Sequence, residues 1–245
     1  MKQILYLIVC FIHATFSIYS QENIITPLNL QANDSLLKSE TYSMDWFMVT
    51  DTTEVKIGEV ETQIQKKKAV TYVITQVKMN RSTDKWIDTT VVATKNFEPI
   101  YHASYNQQRD MVLKFDEKVT GYYLDKKSST RTPILEETNT PFFDSNFYPQ
   151  LIRLLPLKDN YAKTISIFDY NPKSKIGVLT ATIKNTQKNM VNFKGESLPI
   201  WKVEVTDDIS GNNALNTYYI DFRTRKLLKQ EIDFGGRKMV IKLRE

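Results

Sequence analysis

Outside an apolar N-terminal run, the chain holds one side chain suited to general base work near neutral pH, His102 in "PIYHASY". A Ser–His–Asp arrangement would have to use it, and no G-x-S-x-G elbow exists to present the serine. With one histidine and no cysteine beyond that run, a His-rich zinc site is excluded, and nothing favours a carboxylate-only one. His102 is therefore expected to cap or flank a strand. Carboxylates are plentiful, and Glu136-Glu137 and Asp207-Asp208 are adjacent pairs. Neighbours on a strand point to opposite faces, so adjacency argues against a shared site. Glycosidase chemistry needs only two well-placed carboxylates and stays open at this level. "DDISGNN", Asp207 to Asn213, lacks the spacing and closing Glu of a calcium loop and reads as a turn. Seven glycines leave little room for phosphate-cradling loops. The expectation is a non-enzymatic chain with no metal and no cofactor.

The elements that would carry any site begin after a leader. "MKQILYLIVCFIHATFSIYS" has Lys2 as a minimal positive region, then an apolar stretch, then small Ser20 before Gln21. This reads as a secretory signal over residues 1–20, too short for a comfortable membrane span. Its Cys10 sits in "LIVC", which looks like a lipidation box but also fits as a small hydrophobe in a signal peptide. Without it the chain has no cysteine and must hold together by core burial alone. The net charge of +5 is modest, so an exported protein of this kind is not expected to bind nucleic acid. Its lysine clusters, such as Lys66-Lys67-Lys68, fall at expected turns or strand edges, where lysine discourages edge pairing.

Residues 21–39 read as an ordered strap or loose leader, and 40–245 as one domain. Strand patterns follow almost without a break. Tyr42, Met44, Trp46 and Met48 share one face, and Met111, Leu113 and Phe115 another. Trp201, Val203 and Val205 alternate with Lys202, Glu204 and Thr206. Period two with one polar face means a sheet packed on one side and wet on the other. "SGNN" at Ser210–Asn213 and Gly235-Gly236 supply turn chemistry between three strands of an antiparallel meander.

One segment breaks the pattern. In "PFFDSNFYPQLIRLLPL", Phe147, Leu151 and Leu155 are spaced by four, as are Tyr148 and Ile152. Asp144 or Ser145 could cap a helix, Pro149 suits its first turn and Pro156 stops it. A helix this apolar must be buried broadly. The spacing predicts a helix from Phe147 to Leu155 on the concave side of one strongly curled antiparallel sheet.

The order of these features, with "DTTVVATKNFEPIYH", "LKFDEKVTGYY", the apolar helix and the closing "TYYIDFRTRKLLKQEIDFGGRKMVIKL", resembles the exported bacterial family known as domain of unknown function 3108. That family is similar in turn to the lipoprotein-carrier and lipoprotein-binding half-barrels of the bacterial envelope. The resemblance covers roughly residues 40 to 245 and carries no catalytic residues. It implies a mainly β open half-barrel at the periplasm or outer membrane, holding a lipid or lipoprotein acyl chain in its hollow. The residues then expected to line the hollow are Phe142, Phe143, Phe147, Leu151 and Leu155, with Trp46 and Met48 opposite. The alternative is a filled core and an interaction module for an envelope protein or polysaccharide. Aromatic doublets such as Tyr122-Tyr123 would then supply an outward platform. An unrecognised hydrolase is a third reading.

Overall fold

The structure, a computed structural model, describes residues 24–244. The leader, with Cys10, His13 and the junction after Ser20, lies outside the described residues. Among the described residues sixteen strands form one sheet. The first nine are β1 (Ile24–Ile25), β2 (Glu40–Thr50), β3 (Thr53–Lys66), β4 (Val70–Met79), β5 (Lys85–Ala93), β6 (Pro99–Tyr105), β7 (Arg109–Phe115), β8 (Lys118–Asp125) and β9 (Thr130–Glu137). After them come β10 (Phe143–Asp144), the helix α1 (Tyr148–Leu154) and β11 (Lys163–Tyr170). The remaining strands are β12 (Ile176–Phe193), β13 (Glu196–Asp207), β14 (Leu215–Asp221), β15 (Leu227–Asp233) and β16 (Lys238–Leu243).

Two antiparallel meanders make this sheet, β2 through β9 and β11 through β16. They join where β16 pairs with β2, Trp46 opposite Ile241 and Met44 opposite Leu243. The two-residue strands β1 and β10 both lie parallel to β11, one after the other along the edge away from β12. The turns are those the sequence asked for. Phe234 N–H donates to Arg237 O across Gly235-Gly236, whose φ values are 70° and 125°.

The sheet rolls up without closing. β11 is buried on both faces, as its run of buried residues shows. Ile165 and Ile167 enter the main core beside α1. Phe168 and Tyr170, on the other face, pack with Met111, Leu113, Val119, Tyr123 and Ile134 of β7 to β9. The β7–β9 end therefore lies against one face of β11 instead of hydrogen-bonding to its edge. At the far end β9 has one neighbour among the described strands, β8, and Pro133 removes a donor from it.

In the hollow sits α1. Phe147, Leu151, Ile152, Leu154 and Leu155 are at most 1% exposed. A helix of seven residues has no stability of its own in water. Burial holds it, at roughly 1.5–3 kcal/mol for each large apolar side chain. So does one polar anchor. Arg153 is 2% exposed, and its guanidinium donates to Arg225 O at 2.6 Å, Gln150 Oε1 at 2.6 Å and Glu40 Oε1 at 2.8 Å. Gln150 in turn donates to the Tyr42 hydroxyl at 2.9 Å. The start of the helix differs from expectation. Its N-cap is Phe147, with no side-chain cap, because Asp144 is committed to β10 and Ser145 donates to Asp169. The strap is ordered from Ile24: Leu37 is buried, and Asn33 N–H donates to Leu154 O at the helix end.

Candidate functional site

Around α1 the hollow is full. Phe143, Phe147, Leu151 and Leu155 belong to one continuous core cluster with Ile183, Val203, Val205 and Ile220. Phe97 stacks on Phe147 at 5.1 Å between centroids. Phe142 faces the other way, into the smaller cluster, 5.1 Å from Phe168. Five of the seven expected lining residues are thus buried, four as the plug and one beneath the seam. Trp46 and Met48 do not oppose the helix. Both are half-buried and stand outside the core cluster.

Those two residues lead to the part of the sheet that the helix leaves uncovered. Met48 pairs with Val55 on one side and Met239 on the other. With Ile57 and Met79, Met48 and Val55 line an open groove of about 590 Å³. Trp46 lies opposite Gly58 in the ladder. A Cβ at Gly58 would stand 2.8 Å from Lys78 O and 3.1 Å from Met79 Sδ, so glycine is what lets Met79 lie across the strand here. Lys56 and Arg81 also line the groove. Lys56 is taken by Asp45 and Glu59, both at 2.8 Å, whereas Arg81 has no ion pair among the described residues.

A second concentration of chemistry lies where β6 meets β10. His102 Nδ1 is 3.1 Å from Asp144 Oδ2 and 3.2 Å from Thr90 Oγ1. Both members of the His102–Asp144 pair are nearly inaccessible. The contact acts as an ion pair when the imidazole is protonated. Among the described residues His102 Nε2 has no hydrogen-bond partner. Nearby, Trp86 Nε1 donates to Asp88 Oδ1 at 2.7 Å and Ser104 Oγ at 3.2 Å, and Arg109 Nη2 donates to Ser104 Oγ at 3.4 Å. Ser145 Oγ donates to Asp169 Oδ1 at 2.8 Å.

Burial alone would push the His102 pKa down. The Asp144 carboxylate, with Asp88 and Asp169 beyond it, outweighs that and holds the imidazolium above the usual histidine range. Burial pushes Asp169 up, against the Ser145 hydrogen bond. Chemically this is a charged clasp between β6 and β10. Its contacts are Thr90 and Asp144, and the Ser145 hydroxyl is directed to Asp169, not to the imidazole. His102 thus lies inside β6 and pairs inward, where a place capping or flanking a strand was expected. The signal was present in the alternation: Tyr101, Ala103 and Tyr105 take one face of β6, which sends His102 and Ser104 to the other.

Among the described residues no group of His, Cys, Asp and Glu is arranged to hold a metal ion. No helix there is long and apolar enough to cross a membrane.

On the outer face, Tyr101, Tyr105 and Tyr122 surround Ala103 and Val112. Arg131 lies over the Tyr122 ring at 4.2 Å. Burial and the neighbouring phenols push both Tyr105 and Tyr122 above the usual phenol range. Tyr123 points inward and is core.

The family described as "Protein of unknown function (DUF3108)" matches residues 41–242. No curated protein matches significantly. Among solved structures, the chain is similar to a "Beta-barrel-like Protein of Domain of Unknown Function DUF1849 from Brucella abortus". The TM-score is 0.53 at 11% identity, covering 84% of this chain and 95% of that one. At that identity the likeness concerns the fold alone.

Proposed function

We propose, from the premise that this chain belongs to the DUF3108 family, that it is an exported, non-enzymatic envelope protein. It binds one apolar chain in the end of the rolled sheet that α1 leaves uncovered. The observation that carries this reading is the groove of about 590 Å³ floored by Met48, Val55 and Met79. Its size is that of a small-ligand site. Each methylene buried there contributes about 0.8 kcal/mol, so eight contribute roughly 6 kcal/mol before immobilisation costs of several kcal/mol. The unengaged Arg81 suits an acyl carboxylate at the mouth. The helix is a fixed plug in this account, and ligand does not displace it.

The test is uptake of a fluorescent fatty acid by delipidated protein. Met79→Arg should abolish uptake while melting stays near wild type, because the groove is open to solvent. Uptake that ignores Met79→Arg, or no uptake by wild-type protein at all, would end the proposal. A second reading, an interaction module for an envelope polysaccharide, draws support from the tyrosine face at Tyr101, Tyr105 and Tyr122. Flat aromatic rings beside charged groups suit sugar stacking. Tyr105→Ala would then remove binding to a soluble polysaccharide and leave fatty-acid uptake intact.

A further inference from the structure

On a different part of the molecule, four separated segments surround a second groove of about 580 Å³. The strap supplies Pro27 and Leu28, the β5–β6 turn Glu98 and then Ile100, and the β7–β8 turn Asp116 and Glu117. The stretch from Thr138 to Phe142 closes it. We propose that this groove docks a cationic peptide segment of a partner protein, anchored by an apolar side chain.

Two independent features meet there. The first is exposed apolar surface. Leu28 is 77% exposed and Ile100 40%, and the Phe115 and Phe142 rings lie edge to face at 5.8 Å in the groove lining. Large apolar side chains grouped at one opening mark contact surface more than chance exposure does. The second is charge. Glu98, Asp116 and Glu117 are all exposed, and among the described residues none has an ion pair. No Lys, Arg or His lines the groove. Lys118, the next residue along, is held by Glu137 at 2.6 Å. In a chain of net charge +5 this is a local reversal of sign. Electrostatic complementarity therefore selects a basic partner, and it disfavours nucleic acid and anionic lipid surfaces. An extended segment presents alternate side chains to opposite sides, so one apolar residue can enter the groove between basic neighbours that meet the rim.

The probe is a fluorescein-labelled hexapeptide alternating lysine and leucine, followed by anisotropy with the full chain. Binding is expected to weaken several-fold from about 20 mM to about 150 mM salt as the rim is screened. The Asp116→Lys, Glu117→Lys double variant should lower affinity about tenfold or more, equivalent to losing roughly one or two close opposite charges. Leu28→Ser should weaken binding while keeping its salt dependence. All three positions are exposed, so melting temperature should not move. Fatty-acid uptake should not move either, which separates this surface from the open end of the sheet. Equal binding of a glutamate–leucine hexapeptide, or indifference to the charge reversal, would overturn the proposal. So would sedimentation showing a dimer that the same charge reversal dissolves, since the occupant would then be a second copy.

Discussion

Asp144→Asn isolates the clasp between β6 and β10. The substitution keeps the shape of the side chain, and it keeps an acceptor for Asn146 N–H, which donates to Asp144 Oδ1 at 2.7 Å. What it removes is the charge facing His102 Nδ1 at 3.1 Å. Taking one partner from a buried pair costs about 3–5 kcal/mol, because the other charge is left in a poor solvent. The expected loss is about 3 kcal/mol at pH 6, at the low end because Asp88 and Asp169 still act on the imidazole. The pH dependence gives the sharper test. A histidine whose folded pKa is raised contributes stability that is complete below its unfolded value, about 6.5. That stability is lost as pH rises through the folded value. Wild-type protein should therefore lose stability on the alkaline side of 6.5, with a slope from His102 of at most about 1.4 kcal/mol per pH unit. In Asp144→Asn this slope should flatten, so the two proteins should differ most near pH 6 and least near pH 9. Asp169, raised by burial and in part by Asp144 itself, acts on the acid side, away from the alkaline limb compared here. Urea unfolding followed by tryptophan fluorescence at several pH values measures the difference. A gap that is constant from pH 6 to pH 9 would show that the charge on His102 does not hold the seam.

Leu151→Ala should cost about 3–4 kcal/mol in the same assay, since the side chain is fully enclosed and the plug cannot collapse around the void. Arg153→Met should cost about 3 kcal/mol and strand Glu40 and Gln150; adding Glu40→Gln should recover part of the loss, as a double-mutant cycle would show. Gly121→Ala should be among the most damaging changes to the sheet, at about 3 kcal/mol or more. A Cβ there would stand 1.8 Å from Val112 O at φ 154°, and melting temperature reports it.

Much of the sheet was legible because one of its faces is buried. Trp201, Val203 and Val205 turn inward as their alternation required, and the glycine pair sits in its turn. The helix was legible for the same reason: Phe147, Leu151 and Leu155 repeat at one helical face and all three are covered. Its cap was not, because Asp144 had competing uses, and a strand pairing with a histidine contact won. Trp46 and Met48 followed the pattern of β2, but the short reach of a seven-residue helix left them beyond the plug. The clasp was invisible because its members come from three separated strands. Nothing local in "PIYHASY" announces a carboxylate more than forty residues away. The acidic groove had the same obstacle, since no single segment of it is unusual.

The pairing of β16 with β2 has a consequence for how the protein is made. Lys238–Leu243 forms the ladder to Met44–Val49 that unites the two meanders, and it is synthesised after all the other described strands. Until those six residues have emerged, the first meander exposes β2 as a naked border, and closing this loop of nearly two hundred residues is a late, slow step. During synthesis the unfinished molecule is therefore two sticky half-sheets. A holding chaperone that shields the β2 border over that interval would be needed most at this stage.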